Sequence, residues 1–170
     1  MFLVWLSILE QSPEEISLGV TSFSGELPAS MENLRSLVYL NFWECNFSGN
    51  ISSSIGTIIN LIMIDLANNS LAGNIPSSIG NLIQLVFVDL DYNHLIGPIF
   101  FGLANLTQLV LNLGCNRLIG SIPSLVNNLT KLYMLGLSKN EFQGQFPIST
   151  FNLKIFNILD IANKVRFLVT

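Results

Sequence analysis

Glycine recurs along this chain at an almost constant interval, and this regularity restricts the possible fold more than any other feature. The same short phrase, written FSGEL, FSGNI, LAGNI, LIGPI, LIGSI and FQGQF, contains Gly25, Gly49, Gly73, Gly97, Gly120 and Gly144. Subtracting neighbouring numbers gives intervals of 24, 24, 24, 23 and 24 residues. A period of this length predicts a solenoid in which each repeat buries its apolar face against the next.

Apolar residues alternate within each period as L-x-L, the pattern of a short strand whose alternate side chains point inward. The pairs are Leu40 and Phe42, Ile64 and Leu66, Val88 and Leu90, Leu111 and Leu113, and Leu135 and Leu137. Stacked copies would pair in parallel about 4.8 Å apart. Together they would bury a continuous core that no single repeat can form alone.

Asparagine follows four of the five predicted strands, at Asn69, Asn93, Asn116 and Asn140. A buried side-chain amide at this position can satisfy backbone groups that lack sheet partners, so the column predicts an asparagine ladder. Glycine then permits open backbone dihedrals, and proline keeps the returning chain extended. Most of the sequence is therefore interpreted as scaffold.

The complete phrase LxxLxLxxNxLxGxIP resembles the plant extracellular type of leucine-rich repeat, from about Pro13 to about Lys164. This resemblance implies an α/β, right-handed solenoid with a parallel β-sheet on its concave face. Turns and short helical segments are expected on the convex face. Three segments look like the ectodomains of plant receptor-like proteins, and receptor-like kinases share the same repeat: ELPASMENLRSLVYLNFWECNFSGNISSSIG, GLANLTQLVLNLGCNRLIGSIPS and STFNLKIFNILDIANK.

We expect residues 1–12 to form an apolar N-terminal segment and residues 13–170 to form one domain of about six to seven repeats. The last repeat is degenerate, since Lys164 and Arg166 replace the expected Asn and Leu. The run MFLVWLSIL is signal-like or a partial repeat; no basic residue precedes it and no small-x-small site follows. It is shorter than the roughly 18 residues of a spanning helix, so we expect no membrane span. Cysteine-containing caps and a kinase domain are also missing, which suggests a fragment.

Composition disfavours several functions. Charged residues make up 11% of the chain and the net charge is −4, so a nucleic-acid surface is not expected. The lone histidine, His94, has no partner at metal-ligand spacing and is interpreted as a turn residue. No phosphate loop, kinase signature or nucleophile elbow occurs. We expect neither an enzyme nor a protein that needs a cofactor or metal.

Cys45 and Cys115 lie three repeats apart, so stacking separates them by roughly 14 Å. A disulfide needs Cα atoms within about 7 Å. Cys45 is therefore predicted to replace the ladder asparagine as a buried residue, and Cys115 to point toward the concave side as a free thiol.

Five asparagines begin the glycosylation sequon N-x-S/T: Asn46, Asn50, Asn68, Asn105 and Asn128. Asn105 and Asn128 share a column with other asparagines that can serve a turn whatever follows them. Asn46 and Asn50, beside the turn of the second repeat, are expected to be the most accessible. The sequons favour a secreted chain over a cytosolic one.

Solvent-facing strand positions of a solenoid form a curved surface, which is where a ligand is expected. The candidate ligand-binding residues are Tyr39, Trp43, Glu44, Phe87, Asp89, Asp91, Tyr92 and Lys139. Other positions expected on this surface are Asn41, Met63, Asp65, Asn68, Asn112, Met134 and Ser138. Exposed aromatics interleaved with acids suit peptide or protein recognition. Aspartate at Asp65, Asp89 and Asp160 is alternatively a feature of the repeat itself.

The resemblance implies a glycoprotein at the extracellular face of the plasma membrane, or secreted, that binds a peptide or protein in defence or developmental signalling. A co-receptor kinase is the further partner implied. Two alternatives remain: the ectodomain piece of a receptor-like serine/threonine kinase, and a secreted inhibitor of microbial wall-degrading enzymes.

Overall fold

The computed structural model describes residues 11–99, 102, 105–106, 108–122, 131–144 and 158–160. For residues 108, 109, 131 and 158–160 it describes the backbone alone. The expected degenerate last repeat and the sequon at Asn128 lie outside these ranges, apart from one short strand. The N-terminal segment is described only from Gln11 onward.

Seven parallel strands form the inner, concave sheet, in which every strand pairs with the equivalent strand of the next repeat. The strands are β1 (Glu15–Ser17), β3 (Tyr39–Asn41), β5 (Met63–Asp65), β7 (Phe87–Asp89), β9 (Gln108–Asn112), β11 (Lys131–Gly136) and β13 (Ile158–Asp160). Their order, β1-β3-β5-β7-β9-β11-β13, is that of a solenoid adding one strand per turn. The predicted fold class is confirmed.

A second parallel sheet of six strands, in the order β12-β10-β8-β6-β4-β2, was not predicted. Its strands are β2 (Ser24–Glu26), β4 (Asn46–Asn50), β6 (Ser70–Asn74), β8 (His94–Gly97), β10 (Arg117–Gly120) and β12 (Glu141–Phe142). The glycine of the repeated phrase lies in or beside these strands with φ between +73° and +101°. Glycine reaches these dihedrals without a steric cost, which explains its regular recurrence.

In the first three repeats, short 3₁₀ helices cross the convex side at Ala29–Asn33, Ser53–Thr57 and Ser77–Asn81. Pro28 and Pro76 precede two of them with extended backbone, and Ser52 takes that place in the other. The Ser52 hydroxyl accepts the Ser54 N–H at 3.2 Å, so a side chain begins this helix where proline is missing.

The core lies between these three layers and runs without interruption along the chain. Every side chain of the predicted L-x-L pairs is no more than 2% exposed. Phe42 and Phe47 contact each other inside the second repeat, with ring centroids 4.9 Å apart. Since each fully buried Leu or Ile stabilises the fold by about 1.5–3 kcal/mol, the stacked core supplies most of the driving force for folding.

The predicted asparagine ladder is confirmed, and Asn93 illustrates its geometry. Its Nδ2 donates to the carbonyls of Leu90 and Asp91 in its own repeat and of Leu66 in the preceding repeat, at 2.9–3.2 Å. Its Oδ1 accepts the Leu71 N–H at 2.9 Å. The side chain thus links two repeats where the chain passes from one sheet to the other.

Cys45 occupies the ladder position of the second repeat, as predicted, and is 6% exposed. Its Sγ donates to the Leu18 carbonyl at 3.0 Å, the bond that Asn93 makes to Leu66. Thr21 holds the corresponding place in the first repeat, where its hydroxyl also bonds Leu18. The ladder therefore continues through Cys45 and Thr21, although each of these side chains makes fewer hydrogen bonds than a ladder asparagine does.

Candidate functional site

The concave sheet presents one column of mostly apolar side chains across five neighbouring strands. Strand register aligns Tyr39 with Met63, Met63 with Phe87, Phe87 with Val110 and Val110 with Met134. Tyr39 is 42% exposed, and the other four are partly buried. The candidates Tyr39 and Phe87 therefore lie in one row, two strands apart.

A second, polar column, which we call the Asx column, runs beside it through Asn41, Asp65, Asp89 and Asn112. In each, the side-chain Oδ1 accepts the backbone N–H two residues later, at 3.0–3.3 Å. This is an Asx turn, which ends the strand locally. The backbone thus accounts for Asp at these positions, in agreement with the alternative interpretation of Asp65 and Asp89.

Burial raises the pKa of Asp65 and of Asp89 above the ordinary value of 3.8, against the opposing backbone hydrogen bonds. The charge of Asp89 raises the pKa of Asp65 further. Asn112 partly compensates, because its Nδ2 donates to Asp89 at 3.2 Å and to Asp91 at 3.1 Å. Asp89 and Asp91 are therefore two carboxylates joined through one amide.

A third column follows the strands and consists of residues in the left-handed backbone region. Val20 has this conformation after strand β1, at φ +58°. The five members that follow strands β3 to β11 are Glu44, Asn68, Tyr92, Cys115 and Lys139, with φ between +49° and +55°. We call this set the left-handed column. All are exposed except Cys115, which is partly exposed and free, as predicted.

Lys139 is the last described residue of the left-handed column and interacts with Tyr92 two repeats away. Its Nζ lies 5.6 Å from the centre of the Tyr92 ring, a cation–π contact. The electrostatic interaction with Cys115, followed by a hydrogen bond to Tyr92, raises the pKa of Lys139. Lys139 therefore remains positively charged at neutral pH beside a predominantly acidic surface.

Trp43 and Glu44 lie at the other end, directly after strand β3. Trp43 is 41% exposed although its backbone N–H is held by the Asn41 side chain at 3.0 Å. Ser138, at the equivalent position of a later repeat, is only 9% exposed, so the expectation that it faces solvent is wrong. A small side chain here sinks into the turn, whereas indole is too large to do so.

Comparison with known proteins agrees with this geometry. The family model for the Leucine Rich Repeat matches residues 36–58 and 60–82. The plant peptide hormone receptor RGFR1, solved with RGF2, is 36% identical with a TM-score of 0.85, over 88% of this chain and 24% of that one. The Arabidopsis receptor kinase HAESA, solved with the peptide hormone IDA and the co-receptor SERK1, is 36% identical with a TM-score of 0.83, over 89% and 26% respectively. The chain is a leucine-rich-repeat protein of the plant extracellular type.

The similarity covers only part of these receptors, since this leucine-rich-repeat protein spans about a quarter of their solved length. Pollen Receptor Kinase 3 is covered more fully, to 74%, at 26% identity and a TM-score of 0.77. No curated protein matches the chain. Within the described ranges no helix has the length and apolar character needed to cross a membrane.

The sequons of this leucine-rich-repeat protein lie on different surfaces. Asn46 and Asn50 are exposed at the two ends of strand β4 in the second sheet, and Asn46 directly follows the turn at residues 43–45. Asn68 is exposed in the left-handed column. Asn105 is exposed too, and its Nδ2 donates to the Gly80 carbonyl at 3.2 Å.

His94 lies on a strand, β8, so its interpretation as a turn residue is wrong.

Sequence reasoning missed Tyr133 as a surface residue. Strand register shifts between Leu132 and Met134 in β11, because β9 is one residue shorter than its neighbour. Tyr133 is the extra residue of this bulge and is 49% exposed at the border of the concave sheet. The 23-residue interval was the available signal, since a deletion in one strand must be absorbed by its neighbour.

Proposed function

We propose that the concave sheet of this protein binds an extended peptide, or an extended segment of a protein, outside the cell. The observation that carries the proposal is the row of Tyr39, Met63 and Phe87, which lies directly beside the Asx column with its two carboxylates, Asp65 and Asp89. Partly exposed aromatic and thioether side chains provide contact area at low conformational cost, and neighbouring polar groups orient the ligand.

Charge on this surface indicates the ligand's orientation. Acidic groups lie on or directly after strands β3, β5 and β7, at Glu44, Asp65, Asp89 and Asp91, while Lys139 follows strand β11 toward the far end. A ligand with a basic residue over the middle strands and an acidic group near Lys139 fits this distribution. The solved receptors RGFR1 and HAESA are complexes with peptide hormones, which supports a peptide ligand here.

We further propose that the chain is part of a plant cell-surface receptor in defence or developmental signalling, with a co-receptor kinase as partner. Similarity to the receptor kinase HAESA supports a receptor kinase parent as well as a receptor-like protein. Sequence downstream in the genomic locus distinguishes these two parents, since only one encodes a kinase domain.

Selection of a displayed random peptide library on the full chain tests the binding proposal. Selected peptides should lose at least about tenfold in affinity on the double change Tyr39→Ala and Trp43→Ala, which corresponds to about 1.4 kcal/mol. The matched control is Ile96→Ala with Ile119→Ala, which removes two side chains, each 47% exposed, from the second sheet. Equal loss in both variants, or no selected peptide, contradicts the proposal.

Binding to purified polygalacturonase tests the remaining alternative, a secreted inhibitor of wall-degrading enzymes. A receptor segment should show no saturable binding to that enzyme. Saturable binding that the Tyr39→Ala and Trp43→Ala changes abolish would replace the receptor proposal with the inhibitor.

A further inference from the structure

Asn68 stands out among the sequons because it lies within the proposed ligand surface. Backbone bonds fix its place in the left-handed column: the Glu44 N–H donates to Ala67 at 3.0 Å, and the Asn68 N–H donates to Asp91 at 3.0 Å. Glu44 and Tyr92 therefore lie one strand spacing, about 4.8 Å, on either side of Asn68.

The Asn68 side chain is available for modification. It is exposed, and among the described residues its amide takes part in no side-chain hydrogen bond, whereas the Asn105 amide is held by Gly80. Asn50 is more confined, because its side chain occupies the space where a Cβ on Gly73 would lie. A group attached to Asn68 Nδ2 thus displaces no contact of the folded protein.

We propose that Asn68 carries an N-linked glycan that shields the middle of the left-handed column. The proposal rests on the extracellular location in the proposed function. Asn68 Nδ2 would attack the anomeric carbon of a polyprenyl-pyrophosphate-linked oligosaccharide. The new C–N bond replaces the C–O bond to pyrophosphate, which leaves as the polyprenyl pyrophosphate while Nδ2 loses one proton.

The shield has a defined extent. A bulky glycan anchored between Glu44 and Tyr92 separates the acidic start of the left-handed column from Tyr92 and Lys139. The apolar row through Tyr39, Met63 and Phe87 lies beyond the Asx column and stays accessible. A ligand therefore approaches from the apolar row and reaches Lys139 only past the glycan.

The test uses the full chain, secreted from a plant host behind a host signal sequence. Peptide mapping before and after glycosidase treatment reports whether Asn68 is occupied. Access to the left-handed column is measured as the rate at which Cys115 reacts with a polyethylene-glycol maleimide. Cys45 is 6% exposed and serves as the unreactive internal reference.

Ser70→Ala removes the sequon and leaves Asn68 itself in place; Asn68→Gln is the second variant if the first does not fold. Asn46→Gln is the matched control, since that sequon lies on the second sheet. We expect a glycan on Asn68, several-fold faster Cys115 labelling after Ser70→Ala, and no change after Asn46→Gln. An unmodified Asn68 peptide, or equal labelling rates in all variants, overturns the proposal. Neither readout depends on a ligand, so failure of the peptide-binding proposal remains distinguishable.

Discussion

Two columns that are adjacent in the chain, the asparagine ladder and the left-handed column, differ in what they require of a side chain. The ladder carries asparagine at four described positions, and Asn93, Asn116 and Asn140 are no more than 7% exposed. The left-handed column, one residue earlier, carries five different residue types with almost the same φ. The first column is specified by its side-chain amide, the second by its backbone alone.

This difference shows how the scaffold provides variable side chains for recognition. A non-glycine residue in the left-handed region costs roughly 1–2 kcal/mol. Hydrogen bonds to the next repeat hold it there, such as the Tyr92 N–H donating to Gly114 at 3.2 Å. Because these bonds involve only backbone atoms, any side chain can occupy the position and face solvent.

Asn93→Ala should produce the largest effect, because it leaves the Leu71 N–H and three carbonyls without their side-chain partner. We expect a loss of about 3 kcal/mol in the free energy of unfolding, measured in urea. Tyr92→Ala is the matched control with the same left-handed backbone and should cost about 0.5 kcal/mol or less. Comparable losses would remove the distinction between the columns.

Cys45→Asn places an asparagine at the ladder position of the second repeat and so extends the comparison to a repeat that lacks the amide. Asparagine can donate to Leu18 and Trp43 as the thiol does, and its oxygen can also accept the N–H of Phe23, the counterpart of Phe47. We expect a gain of about 1 kcal/mol in urea unfolding. Destabilisation would show that the second repeat has adapted its packing to sulfur.

Glu44→Gly tests whether the left-handed column is set by the backbone alone. Glycine removes the steric cost at φ +52° but makes the unfolded chain more flexible. The net expectation is a stabilisation of about 0.5 kcal/mol by thermal or urea unfolding. A loss exceeding about 1 kcal/mol would mean that the Glu44 side chain contributes to the scaffold.

Asp65→Asn should have the smallest effect, and that effect should depend on pH. Because burial raises the Asp65 pKa above 3.8, the folded protein binds the proton more tightly than the unfolded chain does. This contribution to stability is complete below 3.8 and is lost as pH rises through the raised pKa. The variant should therefore match the wild type at low pH and be the more stable protein at neutral pH, within about 0.5 kcal/mol. Wild-type stability that is higher at neutral pH would reverse the assigned sign.

The inner sheet and the ladder were predictable because each depends on one residue type recurring at a fixed place. The second sheet was not, since its segments, such as NFSGN at Asn46–Asn50, contain glycine and asparagine, which single-strand propensity disfavours. Pairing with neighbouring repeats overrides that preference. The burial of Ser138 could not be predicted either, because the residue at the equivalent position of another repeat, Trp43, is exposed. At the candidate site, sequence spacing indicated which positions would face solvent on the concave sheet. It did not indicate the Asx turns, the left-handed backbone, the Asn112 bridge or the Lys139–Tyr92 contact, which depend on backbone and side-chain conformation.

Amide hydrogen exchange of the Leu71 N–H tests the central claim most directly, because this backbone donor bonds a side chain of the next repeat. In the wild type it should exchange only on global unfolding, as should the Leu118 N–H, which Asn140 accepts. In Asn93→Ala, measured under conditions where the protein remains folded, the Leu71 N–H should exchange much faster through local opening, while the Leu118 N–H should stay governed by global unfolding. Equal changes at Leu71 and Leu118, or no change at Leu71, would contradict the account that the asparagine side chain holds neighbouring repeats together.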